Sequence, residues 1–529
     1  MSDWSFAAVW RGIADAAPDR EAVVCGDRRL TFAQFDDRAR RLAWHLSREA
    51  GLEPGDKVAI DLLNAPEYLE TFFAALKLGC VPVNVNYRYV ADEVHYVVDN
   101  SDAKAVVCAP ELADTVKRAL KRIQKPWRPF TLQTGASYEA ALSAAPPAAE
   151  WEPAHSPTGD DLMFLYTGGT TGMPKGVMWR TDDLYVALWQ MGRPGTEPPD
   201  PVAAVRDGKR AGTCLPACPL MHGTGLFIAL TTLSGGGTVV LIDDAGLDPP
   251  RVWSEVERNA VEVLTIVGDV VARPLLAALD AEPERWDLSS LRAITSSGVT
   301  WSPETKEGLL RHVPKVTLFD SLGASEGMAS RQAATADAEI KPARFAVSDR
   351  VKVFREDTGE EVTPGSDEIG LLAVGGRIPL GYWGDPEKTA QTFRVIGGRR
   401  YSLAGDYAQV DADGTIRLLG RGSACINTGG EKVYPEEVEL ALRKHPSVFD
   451  CVVVGVPDER FGEIVVALVQ VTDGHYLDEE ELEAWCRKKL AGYKKPRRFL
   501  FLESLDRNAA GKANYRTLRQ LAAERLSRS

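Results

Sequence analysis

The chain has 529 residues, of which 44% are hydrophobic, 26% charged and 8% aromatic, with a formal net charge of −13. That is the composition of a soluble globular protein too long for one ordinary domain, and its acidity excludes general nucleic-acid binding. No run reaches the roughly 18 uncharged apolar residues a membrane span needs, and Met1-Ser-Asp-Trp4 lacks the basic and apolar regions of a leader, so the expected location is the cytoplasm. Eight cysteines (25, 80, 108, 214, 218, 425, 451 and 486) are scattered. Cys214 and Cys218 lack a second pair to complete a zinc site, so free thiols in a reducing compartment are expected.

In chain order, the run Lys57–Leu63, the helical pattern Glu67–Leu78 and the run Val81–Val85 predict a βαβ unit of a parallel sheet. Ala103–Cys108 reads as the next strand and Asp161–Tyr166 as a buried one. After a glycine-rich loop, Asp182–Gln190 predicts a helix. Residues 193–210 are rich in Pro, Gly and Asp without a period, which predicts a surface excursion. Strand patterns recur at 238–242, 263–267, 291–295 and 316–319, with a helical pattern at 270–279, and 414–421 reads as a last strand. The small residues Gly422-Ser-Ala-Cys425 then suit a hinge. Beyond it come a helix (435–444), two strands (449–456 and 464–471), a helix (478–490) and a strand (498–502).

The expected fold is therefore α/β: a large N-terminal domain of wound sheets, residues 1–420, a hinge at 421–425, and a small, mobile α+β domain, residues 426–529. Charge divides unevenly between them. From Arg487 to Arg528 there are thirteen Lys or Arg against Glu503, Asp506 and Glu524. Most of those charges belong to a solvated surface, but a few suit a partner rich in phosphate.

The loop Tyr166-Thr167-Gly168-Gly169-Thr170-Thr171-Gly172-Met173-Pro174-Lys175-Gly176 holds the densest chemistry. Its glycines let the backbone approach an anion and aim successive N–H groups at it, while the threonines add hydroxyl donors and Lys175 a positive charge. It is not a P-loop, because Met173-Pro174 separates Gly172 from the lysine. The full string resembles the phosphate-binding signature of the adenylate-forming superfamily, which includes acyl-CoA synthetases, luciferases and peptide-synthetase adenylation domains. Gly168 stands where that family has serine.

Further segments are similar to the same family in the same order. Asp320-Ser-Leu-Gly323-Ala-Ser325-Glu326 resembles its Asn-x-Tyr-Gly-x-Thr-Glu motif, which implies Glu326 on Mg²⁺, Ser325 near the α-phosphate and Asp320 accepting from the adenine amine. Leu322 replaces the stacking tyrosine. Ser297-Gly298-Val299 resembles the adenine-side glycine segment, and Gly405-Asp406 the motif whose carboxylate takes both ribose hydroxyls, with Ala404 for its threonine. Arg421 resembles the arginine beside the hinge, although Ser423-Ala424 lacks the usual polar latch. Gly429, Gly430, Glu431 and Lys432 lie in a segment resembling the pantetheine channel. Asp506-Arg-Asn-Ala-Ala-Gly511-Lys512 resembles the ending that carries the catalytic lysine, and His222 and Gly323 fall at positions beside the acyl pocket.

The resemblance implies an acyl-CoA synthetase using ATP, Mg²⁺ and CoA. A carboxylate, possessing no good leaving group, is first joined to AMP with loss of pyrophosphate and then passed to the CoA thiol. The catalytic set would be Lys512, Glu326, Thr167 and Lys175, with the loop from Thr167 to Gly172 (Gly168, Gly169, Thr170, Thr171) holding phosphates. Val83-Asn-Val-Asn-Tyr-Arg88 and Cys425-Ile-Asn-Thr-Gly-Gly-Glu-Lys432 resemble bacterial fatty acyl and steroid side-chain acyl-CoA synthetases. The partners implied are a small-molecule carboxylate, ATP and CoA, and a homodimer is compatible with the sequence. A free-standing acyl-AMP ligase loading a separate carrier protein, a silent nucleotide-binding regulator and a luciferase-like oxygenase remain as alternatives.

Overall fold

In a computed structural model of the chain, the described residues are 4–527 except 168–172, 245, 300, 341–343, 422–425, 429–430, 459–460, 491 and 508–512; at 421, 427, 431 and 432 the backbone alone is described. The body holds three sheets. The first has the spatial order Gly327–Ala334, Thr317–Ala324, Ala293–Ser297, Val263–Ile266, Cys214–Pro216, Val239–Leu241, Glu21–Cys25 and Arg28–Thr31. Its inner pairs are parallel and only its two edge pairs antiparallel. The second runs Gly381–Tyr382, Lys175–Arg180, Leu162–Thr167, Val81–Asn84, Lys57–Asp61, Ala103–Cys108 and Phe130–Gln133. Here the βαβ unit read from residues 57–85 is present, with Val58 opposite Pro82 in a parallel register.

Between these sheets lies Pro66–Lys77, a helix started by proline at its first turn and buried along its whole length. Burial on every side explains its aromatic pair Phe72 and Phe73, which packs with Trp10 and Phe35. Its acids are carried inside with partners: Glu67 takes Arg28 at 2.8 Å, and Glu70 takes Arg38 at 2.7 Å and the Tyr138 hydroxyl at 2.7 Å. Unpaired, such carboxylates would each cost several kcal/mol.

Two expectations need correction. The glycine-rich loop does not lead from a strand straight into a helix. Lys175–Arg180 intervenes as a strand antiparallel to Leu162–Thr167, with Thr167 opposite Lys175, and the helix follows at Thr181–Gln190. The loop thus joins two antiparallel strands. They pack closely, since a Cβ on Gly176 would stand 2.7 Å from the Tyr166 ring. Residues 193–210 also contain a short helix, Pro201–Arg206, whose Asp200 cap accepts from Val202 N and Ala203 N at 2.9 and 3.1 Å. It packs on Phe6–Ala16, where a Cβ on Gly12 would touch Val202.

Of the third sheet the sequence showed only the strand read at 414–421; its order is Phe345–Ala346, Thr415–Arg421, Asp406–Val410, Gly370–Gly375, Arg399–Ser402 and Phe393–Ile396, with Val351–Phe354 on Gly370–Gly375. All its pairs are antiparallel. The small C-terminal domain is built on Glu431–Val433, Ile426–Thr428, Gly462–Val471 and Val448–Asp458, with Arg498–Phe501 parallel to Gly462–Val471. Helices Pro435–Arg443 and Glu479–Lys489 contribute to the core on one face of this sheet, and Tyr515–Ser527 to the core on the other. Among the described residues no helix is long and apolar enough to cross a membrane.

Candidate active site

The C-terminal ends of parallel strands are where α/β sheets bind ligands, because loops diverge there and leave a crevice. Ala293–Ser297 ends at such a crevice, and its neighbour Thr317–Ala324 turns back there through Ser325 and Glu326 into Gly327–Ala334. Ser325-Glu326 is therefore a hairpin turn. A cavity of about 800 Å³ opens at this edge, lined by Thr167, Ser297, Gly298, Val299, Asp320 and Ser325. Gly323, from the same hairpin, and Asp406, from the third sheet, complete its wall. Four segments separate in sequence thus meet at one place.

Each side chain is held by its surroundings. Asn84 fixes the start of the glycine loop, accepting from Tyr166 N at 2.5 Å and donating to Tyr166 O at 2.9 Å and Met221 O at 2.7 Å. The Ser297 hydroxyl stands 2.7 Å from that of Thr224, two residues after His222. His222 itself precedes helix Gly223–Ser234 and is not among the cavity's lining residues. Gly298 takes φ +91°, a left-handed conformation natural only to glycine. Asp320 is clamped by Lys306, which is 1% exposed. Burial pushes the Asp320 carboxyl up, and Lys306 only partly offsets it.

Lys175 and Glu326 stand behind the lining. The Tyr382 hydroxyl donates to Glu326 Oε1 at 2.8 Å, and the Lys175 ammonium lies 5.4 Å from the centre of the same ring. Burial and the nearby Lys388 lower the Lys175 pKa, against the opposing pull of Asp385 and Glu326. Tyr382 occupies one oxygen of Glu326, and among the described residues Oε2 accepts no hydrogen bond. Glu326, 9% exposed, thereby keeps a hard oxygen of the kind Mg²⁺ takes. Among the described residues no group of three or more His, Cys, Asp or Glu could hold a metal by itself.

The C-terminal domain closes the cavity. Glu439, Arg443, Asp450, Arg507, Ala513 and Tyr515 all line it. Arg273 of helix Gly268–Ala281 donates to Val448 O at 3.5 Å and to Phe449 O across the domain boundary. Gly420, at φ +101°, lies so close to the Glu436 carboxylate that a Cβ there would overlap it. Asp406 pairs in register with Arg421 at the end of the third sheet. The Arg421 side chain, Gly168 to Gly172, Gly429, Gly430, the side chains of Glu431 and Lys432, and Lys512 lie outside the described residues.

Sequence reading missed Arg273, Trp301, Arg443 and Asp450 as cavity residues, for they belong to no motif. Arg507 was legible, since it sits in the quoted ending. The basic surface expected to meet CoA phosphates is partly spoken for: Lys494 pairs with Glu437 at 2.7 Å and Lys495 with Glu483 at 3.0 Å. Acids on neighbouring helices neutralise cations that look free in the sequence.

A family model described as AMP-binding enzyme matches residues 10–383, and its companion, the AMP-binding enzyme C-terminal domain, matches residues 437–512. The chain is 40% identical to a 3-oxocholest-4-en-26-oate–CoA ligase of Rhodococcus rhodochrous, over 95% of this chain and 93% of that one. It is likewise 40% identical to a medium/long-chain-fatty-acid–CoA/3-oxocholest-4-en-26-oate–CoA ligase of Mycobacterium tuberculosis, with 95% and 93% covered. Among solved structures, ATP-bound MatB from Rhodopseudomonas palustris superposes with a TM-score of 0.80 at 26% identity, covering 98% of this chain and 99% of that one. The two domains, the strand-end crevice and the order of its motifs thus have one common explanation: the chain belongs to the AMP-binding enzyme family, as one of its acyl-CoA ligases.

Proposed function

We propose that the enzyme activates a bulky apolar carboxylic acid, a medium- or long-chain fatty acid or a steroid side-chain acid, in two steps on one site. The carboxylate, ionised with a pKa of about 4 to 5, attacks the α-phosphorus of ATP, forming acyl-AMP and releasing pyrophosphate. The CoA thiol then attacks the acyl carbon, forming acyl-CoA and releasing AMP. The first step needs charge stabilisation and no general base.

In this reading Thr167 and the loop after it cradle the β- and γ-phosphates, with Lys175 supplying charge from behind. Asp320 accepts from the adenine amine and Asp406 from the ribose hydroxyls, each a carboxylate with acceptor oxygens to spare. Glu326 would hold Mg²⁺, which neutralises charge on the departing pyrophosphate. Lys512 would meet the developing charge at the α-phosphate. The hinge is assigned to residues 421–425, where rotation of the small domain would withdraw Lys512 and bring Gly429 to Lys432 forward as the thiol channel. ATP and CoA are cytoplasmic metabolites, which supports a cytoplasmic site of action.

One observation carries the proposal: Arg507 and Ala513, on either side of the Lys512 segment, line the same cavity as Thr167, Asp320 and Asp406. The choice of acid rests on the ligases named above and on the apolar wall formed by Val270, Val299, Trp301 and Leu322. The test is product analysis with ATP, CoA and a panel of short, long, aromatic and steroid carboxylates. AMP and pyrophosphate should appear in step with acyl-CoA, and Lys512→Ala should lose acid-dependent ATP–pyrophosphate exchange while still binding ATP. Formation of ADP, or exchange undiminished in Lys512→Ala, defeats the reading.

A further inference from the structure

The C-terminal domain contributes a cluster of four charges to the cavity, and no motif accounts for all of it. Arg443, on helix Pro435–Arg443, donates to Glu439 Oε2 at 3.1 Å and to Asp450 Oδ1 at 3.3 Å. Asp450, on strand Val448–Asp458, also receives Arg507, through Nε to Oδ2 at 2.5 Å and NH2 to Oδ1 at 3.0 Å. Glu439 receives the Tyr515 hydroxyl at 3.0 Å and Val453 N at 2.9 Å. Both arginines also donate to Cys451 O, at 3.0 and 3.2 Å. Two cations and two anions balance, and the four side chains are between 3% and 17% exposed.

Such an assembly is a poor way to stabilise a small domain. Desolvating four charges costs about as much as their pairing returns, and apolar side chains of like volume would serve stability as well. What an ionic network does supply is unique geometry, because each fork of an arginine accepts only one arrangement of carboxylates. Here that geometry has a definite object. Arg507 and Tyr515 stand on either side of Lys512 in the sequence, and the network fastens one to Asp450 and the other to Glu439, with Arg443 linking the two anchors. Burial alone would raise the Asp450 carboxyl, but Arg507 and Arg443 outweigh it and hold it below its ordinary value, so it remains an anion at neutral pH.

We infer that Glu439, Arg443, Asp450, Arg507 and Tyr515 form a positioning network that clamps both flanks of the Lys512 segment and so sets the rate of acyl-adenylate formation. This rests on the proposed role of Lys512. None of the five acts as a catalytic residue; they act through the segment they hold. A lysine that must meet a developing charge within a few tenths of an ångström gains most from anchors on both sides.

The experiment separates the two half-reactions in the full-length enzyme. ATP–pyrophosphate exchange reports adenylation, and conversion of supplied dodecanoyl-AMP plus CoA to dodecanoyl-CoA reports the second step. Hydrogen exchange of the peptide spanning residues 506–515 gives a readout independent of substrate. Asp450→Asn, which keeps the shape and removes the charge, should lower kcat of exchange by about 100-fold with KM for ATP within about twofold. Its dodecanoyl-AMP conversion should stay within about twofold, and amide exchange should rise in 506–515 while strand Gly462–Val471 is unchanged. Tyr515→Phe should follow with a loss of about fivefold. Equal losses in both half-reactions, or protection lost across the whole domain, would reduce the network to a structural role and overturn the inference. So would unchanged exchange kinetics in Asp450→Asn beside a silent Lys512→Ala. If Lys512→Ala itself retains exchange, it is the reading of Lys512 that fails, whatever Asp450→Asn does.

Discussion

The body and the C-terminal domain face one cavity with opposite materials. On the body side the strand ends present small and hydroxylic residues, Ser297, Gly298, Gly323 and Ser325, beside the apolar Val270, Val299, Trp301 and Leu322, and the buried ion pair Lys306–Asp320 holds a carboxylate in place. On the other side the lining is a lattice of arginines and acids drawn from helix Pro435–Arg443, strand Val448–Asp458 and the segment at Arg507. The first surface lets a ligand come close to backbone; the second holds charged side chains in one arrangement. Close approach and fixed charge geometry are thus divided between two folds.

That division can be broken in order of force. Lys306→Met leaves Asp320 buried without its cation and should cost about 3–5 kcal/mol of stability, read as an earlier thermal transition of the body. If the transition does not move, the pair is not what orients Asp320. Gly420→Ala puts a Cβ at φ +101° against Glu436, and should cost about 1–3 kcal/mol while altering how the domains sit, visible as a change in small-angle scattering. Tyr382→Phe removes one hydrogen bond to Glu326 and should cost about 1 kcal/mol. A loss much larger than that, in Mg²⁺-dependence of exchange rather than in stability, would show the tyrosine to act on the metal site.

The smallest effect sharpens the contrast through pH. The Lys175 pKa is lowered by burial and by Lys388, so the side chain loses its proton at lower pH than an ordinary lysine. Adenylation that depends on its charge is complete below that lowered pKa and declines as pH rises through it. Lys175→Arg stays protonated and should move the alkaline limb of the rate profile upward. An unmoved limb assigns the decline to another group.

What the sequence made legible follows from range. Parallel strands of Val, Ile and Ala announce themselves within five or six residues, so 57–61, 103–108 and 263–266 were read close to their true bounds. The motifs were legible for the same reason, each being contiguous. The strand Lys175–Arg180 escaped because it pairs with a strand across the glycine loop, with Gly176 against the Tyr166 ring, a contact no periodicity encodes. Lys306–Asp320 joins a helix to a strand, and Asp450–Arg507 spans most of the small domain, so neither acid advertises its partner. The antiparallel third sheet is made largely of strands too short for a period to show, and only its longest, Thr415–Arg421, was read.

Arg273 bridging to the carbonyls at Val448 and Phe449 has a kinetic meaning. A cavity whose lining belongs to two domains is bounded in part by the seam between them, and this contact draws that seam together. The tighter that seam, the better a mixed anhydride inside is shielded from hydrolysis, and the slower each product escapes.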